Sequence, residues 1–329
     1  MSKLRLPLDL QQFAGEGTLL GRTDADALIP EQVSRDIIQG VTEGSAVLSM
    51  GRRLPNMTSN RMVMPVLDML PVAYFVNGDT GVKQTTKMAW DKKKIYAEEI
   101  AVIVPIPEAV VDDADYDIWG EVRPRLIEAF GQKIDGAVLF GVDKPAQWRD
   151  DVVSTATAAG KAVTTTKDLY TDVMGENGVI AMIEQSGYFP TGHMADISMR
   201  AKLRGLKNDV GDPIFKSDMQ NGTNYSLDGN RMVFPRNGAF DPSKALMISG
   251  DFGQLVYSIR QDITFKIFTE GVIQDPASGE IQYNLMQNDM VALRAVMRLG
   301  WEIPNPIHIM AKDKTKRCPF AVYKAGASA

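Results

Sequence analysis

The residues that most often carry catalysis are scarce in this chain of 329 residues. It contains two histidines, His193 and His308, and one cysteine, Cys318. Neither histidine has a cysteine or glutamate at the spacing of a metal-ligand pair, so the sequence does not predict a histidine-based metal or catalytic site. Cys318 is followed by Pro319 close to the end of the sequence, which is a poor setting for a nucleophile. We interpret it as an incidental thiol near a loose end.

A run of acidic side chains between Asp112 and Glu121 superficially resembles a calcium-binding loop. If such a loop started at Asp113, its required glycine would fall on Ile118 and its bidentate glutamate on Pro124. The pattern instead indicates carboxylates at the N-terminus of a helix, where they cap free N–H groups. The chain also lacks the phosphate-binding, dinucleotide-binding and G-x-S-x-G motifs. The sequence therefore predicts no enzyme, no catalytic residue, no metal and no cofactor.

The composition is that of a globular protein of about two domains. A formal net charge of -5 argues against tight binding to nucleic-acid phosphates. The chain has no run of roughly 18 apolar residues and its start lacks the apolar stretch of a signal peptide, so we expect a soluble protein made in the cytoplasm and no membrane contact. A basic cluster at Lys312, Lys314, Lys316 and Arg317 is interpreted as a solvated tail without a function.

The first residues alternate strictly between leucine and other side chains. An extended segment would place Leu4, Leu6, Leu8 and Leu10 on one face, and that face needs cover. Residues 14–26 lose this periodicity and are rich in glycine, which predicts a flexible tether. From the pattern alone, the leucine segment could dock on its own subunit or on a neighbour, and both alternatives remain open.

Two segments rich in β-branched and aromatic residues, 61–76 and 95–106, predict a long hairpin. Between them, residues 78–94 are polar apart from Val82, Met88 and Trp90. An isolated two-stranded ribbon is marginally stable in water, so we expect this excursion to lean on another surface. A helix is predicted before it, over 31–48 and ending near Gly51, with Pro30 at its first turn.

The clearest helix is predicted over residues 112–141. Its apolar residues recur at every fourth position, and Gly141 supplies a stop. They are Ile118, Val122, Leu126, Phe130, Ile134 and Val138. Pro124 should bend this helix or displace its start. Short helices and strands then alternate from 168 to 249, which predicts a separate α+β domain. A second long hairpin follows, with strands at 262–272 and 280–298 around the turn 275–279.

The order of these elements resembles that of tailed-bacteriophage major capsid proteins with the Hong Kong 97-type fold. The opening Leu8–Ala14, which reads LDLQQFA, is similar to a Leu-x-Leu-Gln-x-Phe-Ala opening in that family. The blocks 73–76, 92–95 and 107–113 look like its extended loop and the start of its spine helix. Later landmarks of the same kind stand at 211–215, 250–252, 292–295 and 298–300. These matches cover nearly the whole chain in the family's order.

The resemblance implies an α+β capsid fold with an N-terminal arm, an extended β-hairpin loop, a peripheral domain with a long spine helix, and an axial α+β domain. The implied divisions are an arm at 1–28, a helix and lead-in at 29–60, an extended loop at 61–104, a peripheral domain at 105–163 and 263–300, an axial domain at 164–262 and 301–312, and a C-terminal tail at 313–329.

By the same resemblance, the protein forms hexamers and pentamers that tile an icosahedral virion shell assembled in the host cytoplasm. The implied partners are other copies of the chain, a separate scaffolding protein, a portal protein, in some cases a decoration protein, and weakly contacted double-stranded DNA. The candidate residues for contacts between subunits lie in the arm and in the extended loop. They are Leu4, Leu6, Leu8, Leu10, Phe13, Lys83, Lys87, Met88, Trp90, Lys92, Lys93 and Lys94.

Some capsids of this fold join a loop lysine to a peripheral-domain asparagine, with a glutamate as proton acceptor. Here Lys83 or Lys87 could supply the amine and Asn288 the amide, but residues 290–301 contain no carboxylate. A lysine with an ordinary pKa of about 10.4 is protonated at neutral pH and is not a nucleophile without a base. We therefore predict a non-covalent shell, unless a base comes from elsewhere, such as Glu280 or Glu302.

Two other classes of protein stay open at this point. The first is an encapsulin-type cellular nanocompartment, which has the same fold but encloses enzymes; the Leu-x-Leu-Gln opening favours the phage. The second is a two-domain soluble enzyme whose site lacks short motifs. Formation of particles by the purified protein would separate that enzyme from both shell proteins.

Overall fold

The computed structural model describes residues 44–76, 82–83, 85–112, 118–166, 168–206, 226–275 and 277–326. These residues fall into two compact units. The first unit contains 100–126 and 263–297, and the second contains the described parts of 35–99, 127–262 and 298–329. Several predictions lie outside the described residues: the arm with Leu4, Leu6, Leu8, Leu10 and Phe13, most of the helix at 31–48, the carboxylates at 113–117 and the landmark at 211–215.

The second unit is built on a six-stranded sheet with the order β5-β14-β9-β6-β8-β7. These strands are β5 (Ala162–Thr164), β6 (Gly192–Ala195), β7 (Ser226–Leu227), β8 (Asn230–Val233), β9 (Met247–Gly250) and β14 (Phe320–Lys324). The surrounding helices are α4 (Val152–Ala158), α5 (Leu169–Met174), α6 (Val179–Glu184) and α7 (Ile197–Arg204). Apolar side chains of α5, α6 and α7 form one core with the sheet. The predicted short helices and the predicted strands near 231–234 and 245–249 are confirmed, and they belong to a compact unit that extends beyond this segment.

The C-terminal segment is part of this sheet, so the prediction of a tail at 313–329 is wrong for β14. This strand pairs parallel with β5 and antiparallel with β9. Phe320, Val322 and Tyr323 are almost fully buried. Cys318 is also buried directly before the strand and is not a thiol at a loose end. Burial raises the pKa of its thiol, which disfavours the reactive thiolate.

Helix α3 (Ile118–Phe140) is the predicted spine, and at 1.5 Å per residue its 23 residues span about 35 Å. The six apolar residues at fourfold spacing are all buried, from Ile118 at 5% exposure to Val138 at 1%. Pro124 lies inside the helix and leaves it continuous. Gly141 has a positive φ of 68°, a conformation that favours glycine and ends the helix as predicted. Helix α2 (Glu108–Asp112) precedes the spine.

The described chain begins beside the C-terminal half of the spine. Helix α1 (Ala46–Met50) starts after Ser45, whose extended backbone interrupts the predicted continuous helix over 31–48; the predicted end near Gly51 is confirmed. The buried Asp135 carboxylate accepts hydrogen bonds from Ser45 Oγ at 2.5 Å, from Ala46 N at 2.9 Å and from Asn237 Nδ2 at 2.7 Å. Burial raises the pKa of Asp135, and these donors oppose that shift.

The remaining strands form one four-stranded sheet and two hairpins. The sheet has the order β1-β10-β13-β4, with β1 (Arg52–Arg53), β4 (Glu98–Pro107), β10 (Val256–Phe268) and β13 (Met290–Glu302). In the first unit, β11 (Val272–Gln274) pairs with β12 (Ile281–Asn284) around the predicted turn. That turn is closed by hydrogen bonds from Asp275 N to Glu280 O and from Gly279 N to Asp275 O. A short 3-10 turn, Phe252–Gln254, joins β9 to β10.

In the described part of the chain, no helix is long and apolar enough to cross a membrane.

Candidate inter-subunit contact surface

The predicted extended loop is a two-stranded ribbon of β2 (Arg61–Met69) and β3 (Ala89–Tyr96). The second strand begins at Ala89, so the prediction of a polar loop up to Lys94 is wrong. The predicted single strand over 95–106 is also wrong, because the chain is interrupted at Ala97 and continues as β4. Cross-strand pairs place Met64 opposite Lys93 and Val66 opposite Asp91 on one side. Pro65 opposite Lys92 and Leu67 opposite Trp90 lie on the other side. We call these two sides the inner face and the outer face.

The inner face is covered by its own subunit. Near the base of the ribbon, Ile95 is completely buried and packs in a cluster with Met57, Ala97 and Val256, which Met62 and Met64 contact. Further along, Val66 is 8% exposed. The strap, which we define as residues 304–317, reaches the ribbon here, because Ile307 N donates a hydrogen bond to Leu67 O at 3.0 Å.

Lys314 of the strap also binds this face electrostatically. Its ammonium lies 2.7 Å from Asp91 Oδ2 on β3 and 3.4 Å from Asp68 Oδ1 on β2. The hydrogen bond and charge of Lys314 lower the pKa of Asp91, and the same contacts raise the pKa of Lys314. The basic cluster at 312–317 is therefore not simply solvated. Lys314 bridges both strands of the ribbon, and Arg317 is 3% exposed.

The outer face carries exposed apolar and basic side chains. Trp90 is 62% exposed and Val63 is 45% exposed. Lys92 and Lys94 are exposed beside them, whereas Lys93 lies on the inner face and is half-buried. Tryptophan is enriched at interface hot spots, and an exposed apolar group rimmed by polar residues marks an interaction site. The structure thus groups Trp90 with Lys92 and Lys94 but separates Lys93 from them.

The described residues of the segment between β2 and β3 include further exposed apolar side chains, which we together call the tip. Phe75 is fully exposed, and Val82 is 87% exposed. The other large apolar residues of this group are Val72, Tyr74, Val76 and Met88. Lys83 and Lys87 are exposed among them. Sequence reasoning missed Val72, Tyr74, Phe75 and Val76 as contact candidates, because 61–76 was assigned to one strand; their lack of alternation was the available signal.

Two residues considered for a covalent link, Glu302 and Asn288, make hydrogen bonds within their own subunit. Glu302 is buried, and its Oε1 accepts hydrogen bonds from Arg149 Nη1 at 2.7 Å and from Ile303 N at 2.9 Å. The Asn288 side-chain oxygen accepts a hydrogen bond from Asn284 N at 3.0 Å. Glu302 is thus held in an ion pair within its own subunit.

The two histidines lie in different parts of the fold and have different contacts. His193 is fully buried in β6, with Nδ1 2.8 Å from Ser249 Oγ and Nε2 3.1 Å from Leu227 O. Burial lowers the pKa of His193 to about 4, so the ring is neutral at pH 7. His308 lies in the strap, and its ring packs against Tyr188. Among the described residues, no group of three or more histidine, cysteine or acidic side chains could hold a metal ion.

An α+β subunit with a spine helix, a projecting ribbon and a second hairpin defines the Hong Kong 97-type capsid fold. A model of the phage capsid family matches residues 25–311, and the chain belongs to that family. It is 25% identical to the major capsid protein of Staphylococcus phage 80alpha in an alignment of 311 residues that covers 91% of each chain.

Solved structures agree with this family. A protein of Microbacterium phage Oxtober96 is 33% identical with a TM-score of 0.75, over 93% of this chain and 96% of that one. A protein of Mycobacterium phage Cain is 31% identical with a TM-score of 0.75, over 87% of this chain and 92% of that one. The encapsulin alternative is not favoured, because the matched family and relatives are phage capsid proteins.

Proposed function

We propose that this chain is a major capsid protein that assembles as hexamers and pentamers into an icosahedral shell around phage double-stranded DNA. The main support for the proposal is the difference in exposure between the two faces of the ribbon. Its inner face is held by its own subunit, while its outer face and tip expose Trp90, Phe75 and Val82 to solvent. Exposed apolar side chains of this kind mark a surface that binds a partner. In a shell, a neighbouring copy of the chain provides that partner surface.

The parts of the chain have separate roles in this proposal. Residues 1–28 act as an arm that docks on a neighbouring subunit, and 61–104 act as the extended loop. The peripheral domain comprises 105–163 and 263–300. The axial domain comprises 164–262 and the segment from 301 onward, which includes β14. Many weak contacts through arm, ribbon and domains add up by multivalency and allow errors to be corrected during assembly.

The proposed partners follow from the same role. Other copies of the chain provide the main contacts, a separate scaffolding protein guides assembly in the host cytoplasm, and a portal protein occupies one vertex. The net charge of -5 supports weak, non-specific contact with packaged DNA, since a strongly basic wall would bind phosphates tightly. The protein has no catalytic role in the proposal.

Expression of the full chain, alone and together with the scaffolding protein of its phage, tests the proposal. Negative-stain microscopy should show closed, regular shells in at least one of these conditions. A protein that stays monomeric in both conditions at high concentration would contradict the proposal. Shells that package a co-expressed cellular enzyme rather than DNA would support a nanocompartment instead.

A further inference from the structure

The strap is folded around one buried side chain. The Arg317 guanidinium donates hydrogen bonds to Ala311 O at 2.9 Å and to Asn305 O at 3.1 Å. Asn305 Nδ2 in turn donates to Arg317 O at 2.7 Å. These bonds join both ends of the segment, so the strap is a closed loop with a defined shape rather than a loose connection.

The strap is also attached to the part of its unit that contains the six-stranded sheet. Tyr188, which follows α6, donates a hydrogen bond from its hydroxyl to Asn305 Oδ1 at 2.9 Å. The ring of His308 packs against Tyr188, and it lies so close to Gly187 that a side chain there would overlap it. Gly187 has a positive φ of 82°, which favours glycine as well. The strap therefore has a rigid support that does not involve the ribbon.

From this support the strap reaches the ribbon at two points, seven residues apart. Ile307 N bonds the main chain of β2 at Leu67, and Lys314 holds Asp68 and Asp91 from the two strands together. The two carboxylates and the amine are each about half exposed. Exposed ion pairs are individually weak and are screened by salt, so this contact can open without unfolding the subunit.

We propose that the strap is an intrasubunit latch, in which Lys314 closes the contact and fixes the ribbon against the axial part of its own subunit. Opening the latch frees the ribbon to pivot about its buried base at Ile95 and Ala97. A latch of this strength allows one subunit to present the ribbon at different angles. The latch is a property of the single subunit, and only its use in fitting the ribbon to unlike neighbours rests on the proposed function.

The Ile307 amide gives a direct readout, because its hydrogen bond to Leu67 O exists only while strap and ribbon are in contact. Hydrogen exchange at this amide is measured in the unassembled full-length chain. Lys314→Gln should speed the exchange by up to about fivefold, the scale of an exposed ion pair. Lys316→Gln removes an exposed cation from the same strap and is the matched control, for which no change is expected.

A charge swap distinguishes pairing from a general effect of the substitution. Lys314→Glu should speed the exchange, and Lys314→Glu combined with Asp91→Lys should restore it toward the parent rate. Raising the salt concentration should speed exchange in the parent and have little effect in Lys314→Gln. Equal rates in the parent and Lys314→Gln, or equal acceleration by Lys316→Gln, would overturn the latch. Because no shell is needed for this measurement, that failure would leave the proposed function intact.

Discussion

Leu67 and Trp90 lie directly opposite each other in the ribbon, on the face turned away from Lys314. The same two strands therefore present one face to their own subunit and the other to solvent. This division follows from the alternation of side chains in a strand, since Asp91 and Trp90 are neighbours in sequence but point to opposite sides. The ribbon therefore has one face in contact with its own subunit and one face that is exposed.

The N-terminal arm should be dispensable for folding and necessary for assembly. Its leucines alternate along one face of a segment that a glycine-rich stretch separates from the rest of the chain. Deletion of residues 1–14 should leave a soluble subunit whose melting temperature is nearly unchanged but which forms few shells. Calorimetry and negative-stain counts of particles check the two halves of this expectation. An unfolded truncated protein would instead place the arm in its own subunit's core.

The buried His193 should make the subunit sensitive to acid. Its folded-state pKa of about 4 lies below the ordinary value of 6.5, so the unfolded chain binds the extra proton. The neutral His193 ring therefore contributes about 3 kcal/mol to the free energy of unfolding. This stabilisation is fully present above pH 6.5 and is lost as the pH falls through 4. His193→Gln should flatten that part of the pH profile of the unfolding free energy. His308→Gln is the control, and an equal flattening there would refute the assignment to His193.

The shell should hold together without covalent links. Glu302 is paired with Arg149, and residues 290–301 supply no other carboxylate. Particles boiled in detergent with reductant should therefore give one band at 36.2 kDa. A ladder at multiples of that mass would mean that a base such as Glu280 from another subunit activates Lys83 or Lys87.

Gly300 should be one of the least replaceable residues. A Cβ at this position would overlap the carbonyl oxygen of Tyr96 and the side chain of Ile95 at the base of the ribbon. Gly300→Ala should lower the free energy of unfolding by roughly 1–3 kcal/mol, because neither neighbour can move without disturbing a strand. Gly205→Ala is the matched control, since a Cβ there meets only ordinary contacts of 3.4 Å or more. Denaturant titration of both variants measures the difference.

Sequence reasoning was most successful where structure is local. The spine helix followed from apolar residues at every fourth position, because a helix buries one face. Phe130 and Ile134 are indeed buried on that face. The second hairpin followed from the turn at 275–279. The ribbon was found from its turn signals, although its second strand begins at Ala89, where three consecutive lysines concealed the pattern.

It failed where distant segments decide the structure. The strand β14 is five residues long and follows a basic cluster, so nothing local distinguishes it from a tail. Its place is set by pairing with β9 and β5. The inner and outer faces of the ribbon depend on Lys314, which is 223 residues from Asp91 in sequence. Periodicity within one segment does not contain that information.

The central claim is that the outer face of the ribbon forms contacts between subunits, and Trp90→Ala tests it most directly. Val66→Ala, on the inner face of the same strand pair, is the matched control. For each variant, the subunit's melting temperature and the protein concentration at which shells first form are measured by calorimetry and light scattering.

Trp90→Ala should leave the melting temperature within about 2 °C of the parent, since substitutions at exposed positions have small effects on stability. It should raise the critical concentration for shell formation at least tenfold, because a buried interface tryptophan typically contributes about 2 kcal/mol or more. Val66→Ala should lower the melting temperature instead. If Trp90→Ala lowers the melting temperature as much as Val66→Ala does and leaves the critical concentration unchanged, Trp90 belongs to its own subunit and the account is wrong.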